Sequence, residues 1–210
     1  MKKLILTSTG LQNPNICKAF LDIIGKPPSK IKILFVPTAS RTKEELKYAK
    51  KSKKELEKIG IKLIKTINLD CKLNYDEIKS YDVIYVCGGN TFYLLYKIKE
   101  SGFDKIIKNF VSAGKLYFGV SAGTIICCPN IKIAAPFDNN DVGLKNFRGL
   151  NLINVILSPH YCEADKKFIK NYSRKSKIEV IPLRDNQAFV VSGKSGEIIQ
   201  WNKLYWLEKI

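Results

Sequence analysis

An α/β fold with a mostly parallel central sheet and helices on both faces is what this sequence predicts, and three observations predict it. Apolar, β-rich runs alternate with segments of helical period. Two of those runs end in glycine turns that lead straight into helical segments, Gly88-Gly89 and Gly119-Val120-Ser121-Ala122-Gly123. The end of the chain changes to short alternating pieces split by glycine and asparagine, the mark of a short antiparallel hairpin near the C-terminus, at the sheet edge. The 210 residues suffice for a single domain over 1–210, a size that buries roughly 70% of its unfolded-chain surface.

The elements follow in order. Strands are expected at 4–7, 31–36, 62–67, 83–86, 116–119, 155–157, 178–181 and 189–191, each an apolar run bounded by polar or turn residues. Between them, 43–59 reads as a lysine-rich amphipathic helix, and 91–100 and 103–112 as two shorter ones. The closing pieces are 188–192, 197–200 and 204–207, separated by Gly193, Gly196 and Asn202. The irregular stretch is 128–149, with Pro129, Pro136, Asp138-Asn139-Asn140-Asp141 and two glycines; a loop this long in a compact domain is usually functional or mobile.

Composition narrows the class. With 45% hydrophobic, 26% charged and 10% aromatic residues the chain matches ordinary globular proteins, not disordered or fibrous ones. No run of about 18 apolar residues occurs and the apolar start is too short for a signal peptide, so no membrane partner and a cytoplasmic location are expected. Six scattered cysteines without a C-x-x-C pair, and one histidine, His160, give no local zinc spacing; reduced, mostly buried thiols and no metal are expected. The balance of 36 basic against 19 acidic residues gives +17, which invites a nucleic-acid reading. The distribution argues against it. Only Arg41, Arg148, Arg174 and Arg184 are arginines, no basic cluster is interleaved with aromatics, and the densest run, Lys50-Lys51-Ser52-Lys53-Lys54, sits among glutamates as the solvated face of a helix. No dinucleotide fingerprint or phosphate loop occurs, so no nucleotide cofactor is expected.

The chemistry concentrates at the strand ends. A strand running into G-x-S-x-G and a helix is a nucleophile elbow: a strained turn pushes the Ser121 hydroxyl out of the sheet edge, Gly119 and Gly123 let it close, and the Ala122 amide faces the same spot. A serine hydroxyl needs a base. His160, in Ser158-Pro159-His160 just past a strand, is the only imidazole. A carboxylate must orient it; Asp185 is best placed by topology, with Asp138, Asp141 and Glu163 as alternatives. The Gly88-Gly89-Asn90-Thr91 turn reads in two ways: a plain turn with Asn90 or Thr91 capping the next helix, or the source of a second oxyanion amide, Gly89.

Together, Gly88-Gly89-Asn90-Thr91-Phe92, Gly119-Val120-Ser121-Ala122-Gly123, Cys128-Pro129 and Pro159-His160 resemble the dipeptidase E family, the α-aspartyl dipeptidases and their homologues, over almost the whole chain and in the same order. The resemblance implies a class I glutamine amidotransferase-like fold with serine in place of cysteine, and a Ser-His-carboxylate peptidase. Ser121 then matches the nucleophile and His160 the base, while Asp185 stands where the family has a glutamate. An aspartate in the loop after the elbow would align near Pro136, two residues from Asp138. The order Ser, His, acid also separates the chain from α/β-hydrolases. The expectation is a serine hydrolase of small peptides, monomeric or homodimeric, with an aspartyl preference suggested by the relatives; Arg148, Arg174, Arg184 or a lysine would have to read that carboxylate. A ligand-binding homologue without activity and a basic nucleic-acid-associated protein are the rivals.

Overall fold

The computed structural model describes residues 1–193 and 195–199, and the backbone of 204–207. In chain order the elements are β1 (Lys3–Thr7), α1 (Pro14–Ile24), β2 (Lys32–Val36), α2 (Lys43–Lys58), β3 (Leu63–Thr66), α3 (Tyr75–Ile78), β4 (Val83–Val86), α4 (Thr91–Glu100), α5 (Phe103–Ser112), β5 (Leu116–Val120) and α6 (Ala122–Ile125). They continue with β6 (Ile156–Ser158), α7 (Lys166–Ser176), β7 (Val180–Pro182), β8 (Ala188–Ser192), β9 (Ser195–Ile199) and β10 (Leu204–Leu207).

Eight strands form one sheet in the order β10-β9-β8-β1-β5-β4-β2-β3. The five from β1 to β3 in that order are parallel, while β8, β9 and β10 are antiparallel and correspond to the three closing pieces of the hairpin expected at the sheet edge. Gln200 and Asn202, placed in that hairpin by the sequence, lie outside the described residues.

Period 2 decides which side chain goes to which face. Leu4, Leu6, Leu34, Val36, Ile84, Val86 and Tyr117 point into a core shared with α4, α5 and α6. Their neighbours Ile5, Ile33, Phe35, Val83, Tyr85, Leu116 and Phe118 point into a second core covered by Ile16 and Phe20 of α1 and Ala49 and Leu56 of α2. That second core is keyed by aromatics: Tyr85 stacks between Phe35 and Phe118 at centroid distances of 5.3 and 4.7 Å, and Phe20 meets Phe118 edge-on at 5.6 Å.

The sequence reading differs from the structure in four respects. β6 and β7, predicted as members of the main sheet, pair only with each other, in parallel, as a separate two-stranded sheet beside it. Three helices, α1, the one-turn α3 and α7, were not foreseen. The ends of α1 are fully signalled, with Asn13 accepting from the Asn15 amide, Pro14 at the first position and Gly25 closing it in a left-handed conformation; α7 buries only Ile169, so its apolar stripe is too thin to read. The 128–149 stretch is anchored rather than loose: Ile131, Ile133 and Ala134 are buried, and Asn130 bridges Arg148. Of the six unpaired cysteines only Cys87, Cys127 and Cys128 are buried; Cys71 and Cys162 are exposed.

Candidate active site

Sheet register gathers five chain segments at one edge. β1, β4 and β5 are parallel neighbours, so the turns after Thr7, Val86 and Val120 emerge together. β8 runs the other way and pairs Ala188 with Thr7, which brings the residues just before β8, including Asp185, to the same edge. The end of β6 supplies the fifth segment, with His160.

Ser121 caps α6 with φ 50° and ψ −109°, a strained conformation for a residue with a side chain that costs roughly 1–3 kcal/mol. Its surroundings hold it there. The Ser121 amide donates to the Thr7 carbonyl at 2.9 Å, the Thr124 amide donates to the Ser121 carbonyl at 2.8 Å, and the buried Thr124 hydroxyl lies 2.8 and 2.9 Å from the Thr7 and Gly119 carbonyls. The elbow packs so closely that a Cβ on Gly123 would stand 2.4 Å from the Val86 carbonyl oxygen, and one on Gly119 2.5 Å from that of Gly123. Any side chain at either position forces β4, β5 and α6 apart.

His160 also has a left-handed backbone, φ 60°. Its amide donates to the Ser8 hydroxyl at 3.2 Å, that hydroxyl donates to the Leu183 carbonyl at 3.0 Å, and the Tyr161 amide donates to the same carbonyl. Ser8 thereby ties the end of β1 to both the histidine and the segment leading to Asp185. Nε2 of His160 lies 3.0 Å from the Ser121 hydroxyl, and Nδ1 lies 2.7 Å from a carboxylate oxygen of Asp185. The Thr9 hydroxyl bonds the Asp185 carbonyl and holds the backbone of the acid in place. The imidazole and the carboxylate are about half to two-thirds exposed, so substrate reaches them without any element moving.

The other acids are engaged elsewhere. The Asp138 carboxylate accepts from the Thr91 amide at 2.8 Å, Asp141 pairs with Arg41, and Glu163 pairs with Arg184 and accepts from the Tyr161 hydroxyl. In the glycine turn after β4 the capping reading is the one seen directly. Asn90 caps α4 by accepting from the Tyr93 amide and donates to the Asn139 carbonyl, so its side chain positions the turn. Gly89, at φ 131°, passes so close to 39–40 that a Cβ would sit 2.1 Å from the Ala39 carbonyl oxygen. Gly88 abuts the elbow: a Cβ there would lie 3.0 Å from that of Ser121. The amides of Gly89 and Ala122 donate to no backbone carbonyl in the described turns, which leaves both free for a ligand.

Ser121, His160 and Gly89 stand on the wall between two cavities. The larger, about 330 Å³, also reaches Glu45, Lys51 and Glu55; the smaller, about 170 Å³, reaches Phe137, Asp138 and Asp165. Sequence reasoning missed Ser8, Thr9 and Glu55. The first two follow β1 at the same strand-end edge as the elbow, which was the available signal; Glu55 was hidden in a helix face read as solvated.

The sequence profile of peptidase family S51 matches residues 4–199. An uncharacterized peptidase of Listeria monocytogenes serovar 1/2a is 34% identical over 204 residues, spanning 92% of this chain and 96% of that one. A peptidase E of Nostoc sp. is 31% identical over 172 residues, 80% of this chain and 68% of its own. Among solved structures, that of a candidate peptidase E protein from Listeria monocytogenes EGD-e superposes with a TM-score of 0.79 at 31% identity, covering 95% of this chain and 98% of the other. A peptidase from an acI-B1 actinobacterium, 17% identical with a TM-score of 0.70 over 100% of this chain and 92% of its own, shares the fold. No helix among the described residues is long and apolar enough to cross a membrane. With a family profile spanning nearly its whole length and a full-length relative above 30% identity, the chain belongs to peptidase family S51 and is a serine-type peptidase.

Proposed function

We propose that the chain hydrolyses small peptides through a Ser121-His160-Asp185 triad and an acyl-enzyme intermediate. The observation that carries the reading is the unbroken line of contacts, 3.0 Å from the serine hydroxyl to Nε2 and 2.7 Å from Nδ1 to the carboxylate. His160 takes the hydroxyl proton as Ser121 attacks the scissile carbonyl, then gives it to the departing amine; water, deprotonated by the same nitrogen, releases the acid product. The tetrahedral oxyanion falls between the amides of Gly89 and Ala122, fixed donors that need no reorganisation as charge develops. Asp185 selects the tautomer with the proton on Nδ1 and steadies the imidazolium.

An aspartyl preference requires a cation facing the substrate. Arg148, Arg174 and Arg184 line neither cavity, and among the described residues Lys51 is the one lysine or arginine that does, so the proposal is for small peptides without that restriction. Six unpaired cysteines suit a reducing compartment, and we assign the chain to the cytoplasm.

A fluorophosphonate probe tests the reading. Labelling confined to Ser121, lost in His160→Ala, is the expected result; a folded protein that takes no label at neutral pH contradicts it.

A further inference from the structure

We propose that the larger cavity beside Ser121 binds a substrate ammonium through the Glu55 carboxylate, an inference that rests on the peptidase reading of Ser121 and His160.

The chain carries +17 overall, yet the lining of this cavity is acidic, with Glu45, Glu55 and Asp185 against a single Lys51. Two of the three carboxylates are already committed. Glu45 closes the N-terminus of α2 by accepting from the amides of Arg41 and Thr42, and Asp185 holds His160. Glu55 has no such tie. It is half-buried, with the Leu11 amide and Lys51 nearby, and it forms no ion pair within 4.0 Å among the described residues.

A second observation marks the same spot. Three oxygens converge beside Gly10: the Tyr85 hydroxyl, Glu55 Oε2 and the Ser52 hydroxyl lie 3.0, 3.5 and 3.7 Å from the point a Cβ would occupy, a spot already in contact with the tyrosine oxygen. The Tyr85 hydroxyl is completely buried and has no hydrogen bond of good geometry among the described residues, although Ser52 and Glu55 lie beside it. Ser52 and Glu55 open onto the cavity that holds Ser121. Burial holds the Glu55 carboxyl above the usual carboxylate range, against the pull of Lys51 and the Leu11 amide. A desolvated carboxylate flanked by neutral oxygens is what an ammonium, with three donors and no acceptor, satisfies.

Two substrate groups carry that chemistry, the free N-terminus of a short peptide and a lysyl side chain. A panel of p-nitroanilides separates them: alanyl against N-acetylalanyl for the first, N-acetyllysyl against N-acetylnorleucyl for the second. The ammonium-bearing member of at least one pair should lead its partner by about tenfold or more in kcat/KM. Glu55→Gln, isosteric and uncharged, should collapse that lead. Lys51→Met, which removes the ammonium competing for Glu55, should widen it. No lead in either pair, or a lead that neither substitution moves, overturns the assignment; so does Glu55→Gln slowing both members of a pair equally, which is a structural role. If fluorophosphonate labels Ser121 and no ammonium-bearing substrate is cleaved, this assignment fails and the hydrolase reading stands. If Ser121 takes no label, the hydrolase reading fails and this one with it.

Discussion

Ser121→Ala should abolish peptide hydrolysis, lowering kcat/KM by about 10⁴–10⁶-fold while the fold stays intact. The magnitude follows from the way a triad acts as a unit, so that loss of the nucleophile leaves only binding and the oxyanion donors. The fold should survive because the Ser121 hydroxyl's contact is with His160, while the backbone of the elbow is held by the Thr7 carbonyl and Thr124, groups the substitution does not touch. Thermal unfolding within a few degrees of wild type, measured alongside kinetics on a cleaved peptide, checks both halves. His160→Ala should cost as much as Ser121→Ala, and the double variant no more than either, since neither side chain has anything to do without the other. Independent, multiplying losses would mean that serine and histidine do not work on the same proton.

Asp185→Asn carries the second large effect, and it decides between four acids that the sequence leaves open. The carboxamide keeps the shape and loses the charge that stabilises the imidazolium, and its NH₂ group favours the wrong imidazole tautomer. Buried triad aspartates lose about 10⁴-fold on this change; Asp185 is 68% exposed, where water screens the charge, so a loss of about 10²–10⁴-fold is expected. Glu163→Gln and Asp138→Asn should each cost less than about tenfold, because the first carboxylate is held by Arg184 and the second by the Thr91 amide. A large loss in either of these, with Asp185→Asn near wild type, would move the acid elsewhere.

What the sequence made legible divides along the range of the interactions involved. The elbow was readable because its parts are contiguous: an apolar strand, two glycines at positions where a Cβ would stand 2.4 and 2.5 Å from a carbonyl oxygen, and a helix start. The inner parallel strands were readable because they are apolar on both faces, and so were the helices 91–100 and 103–112, whose apolar stripes are wide, and the charged helix 43–59, whose narrow stripe still repeats at helical period. His160 and Asp185 emerged from chemical need and strand-end position, not from any local pattern. Their convergence depends on antiparallel β8 returning beside β1, a pairing no spacing encodes. The detached β6–β7 pair was not readable, since three-residue strands look the same inside or outside the main sheet. α1 was missed despite an asparagine cap, a proline at its first position and a closing glycine, signals strong enough to have placed it. Glu55 was lost for a different reason. The 50–54 lysine run marks α2 as a solvated helix, and only the tertiary fold turns Ser52, Glu55 and Leu56 inward while their neighbours stay in water.

The +17 charge is compatible with this account without a nucleic-acid partner. Lysines cover the outside of the helices, and among the charged residues lining the cavities at the catalytic edge the carboxylates Glu45, Glu55, Asp138, Asp165 and Asp185 stand against Lys51.

The structure of the phosphonylated protein, determined crystallographically after reaction with a fluorophosphonate, tests the central claim most directly. Phosphorus bonded to the Ser121 hydroxyl oxygen, with one phosphonyl oxygen about 3 Å from both the Gly89 and Ala122 amides and His160 still bridging to Asp185, is the expected arrangement. Phosphorus on any other residue, or a phosphonyl oxygen turned away from those two amides, would contradict it.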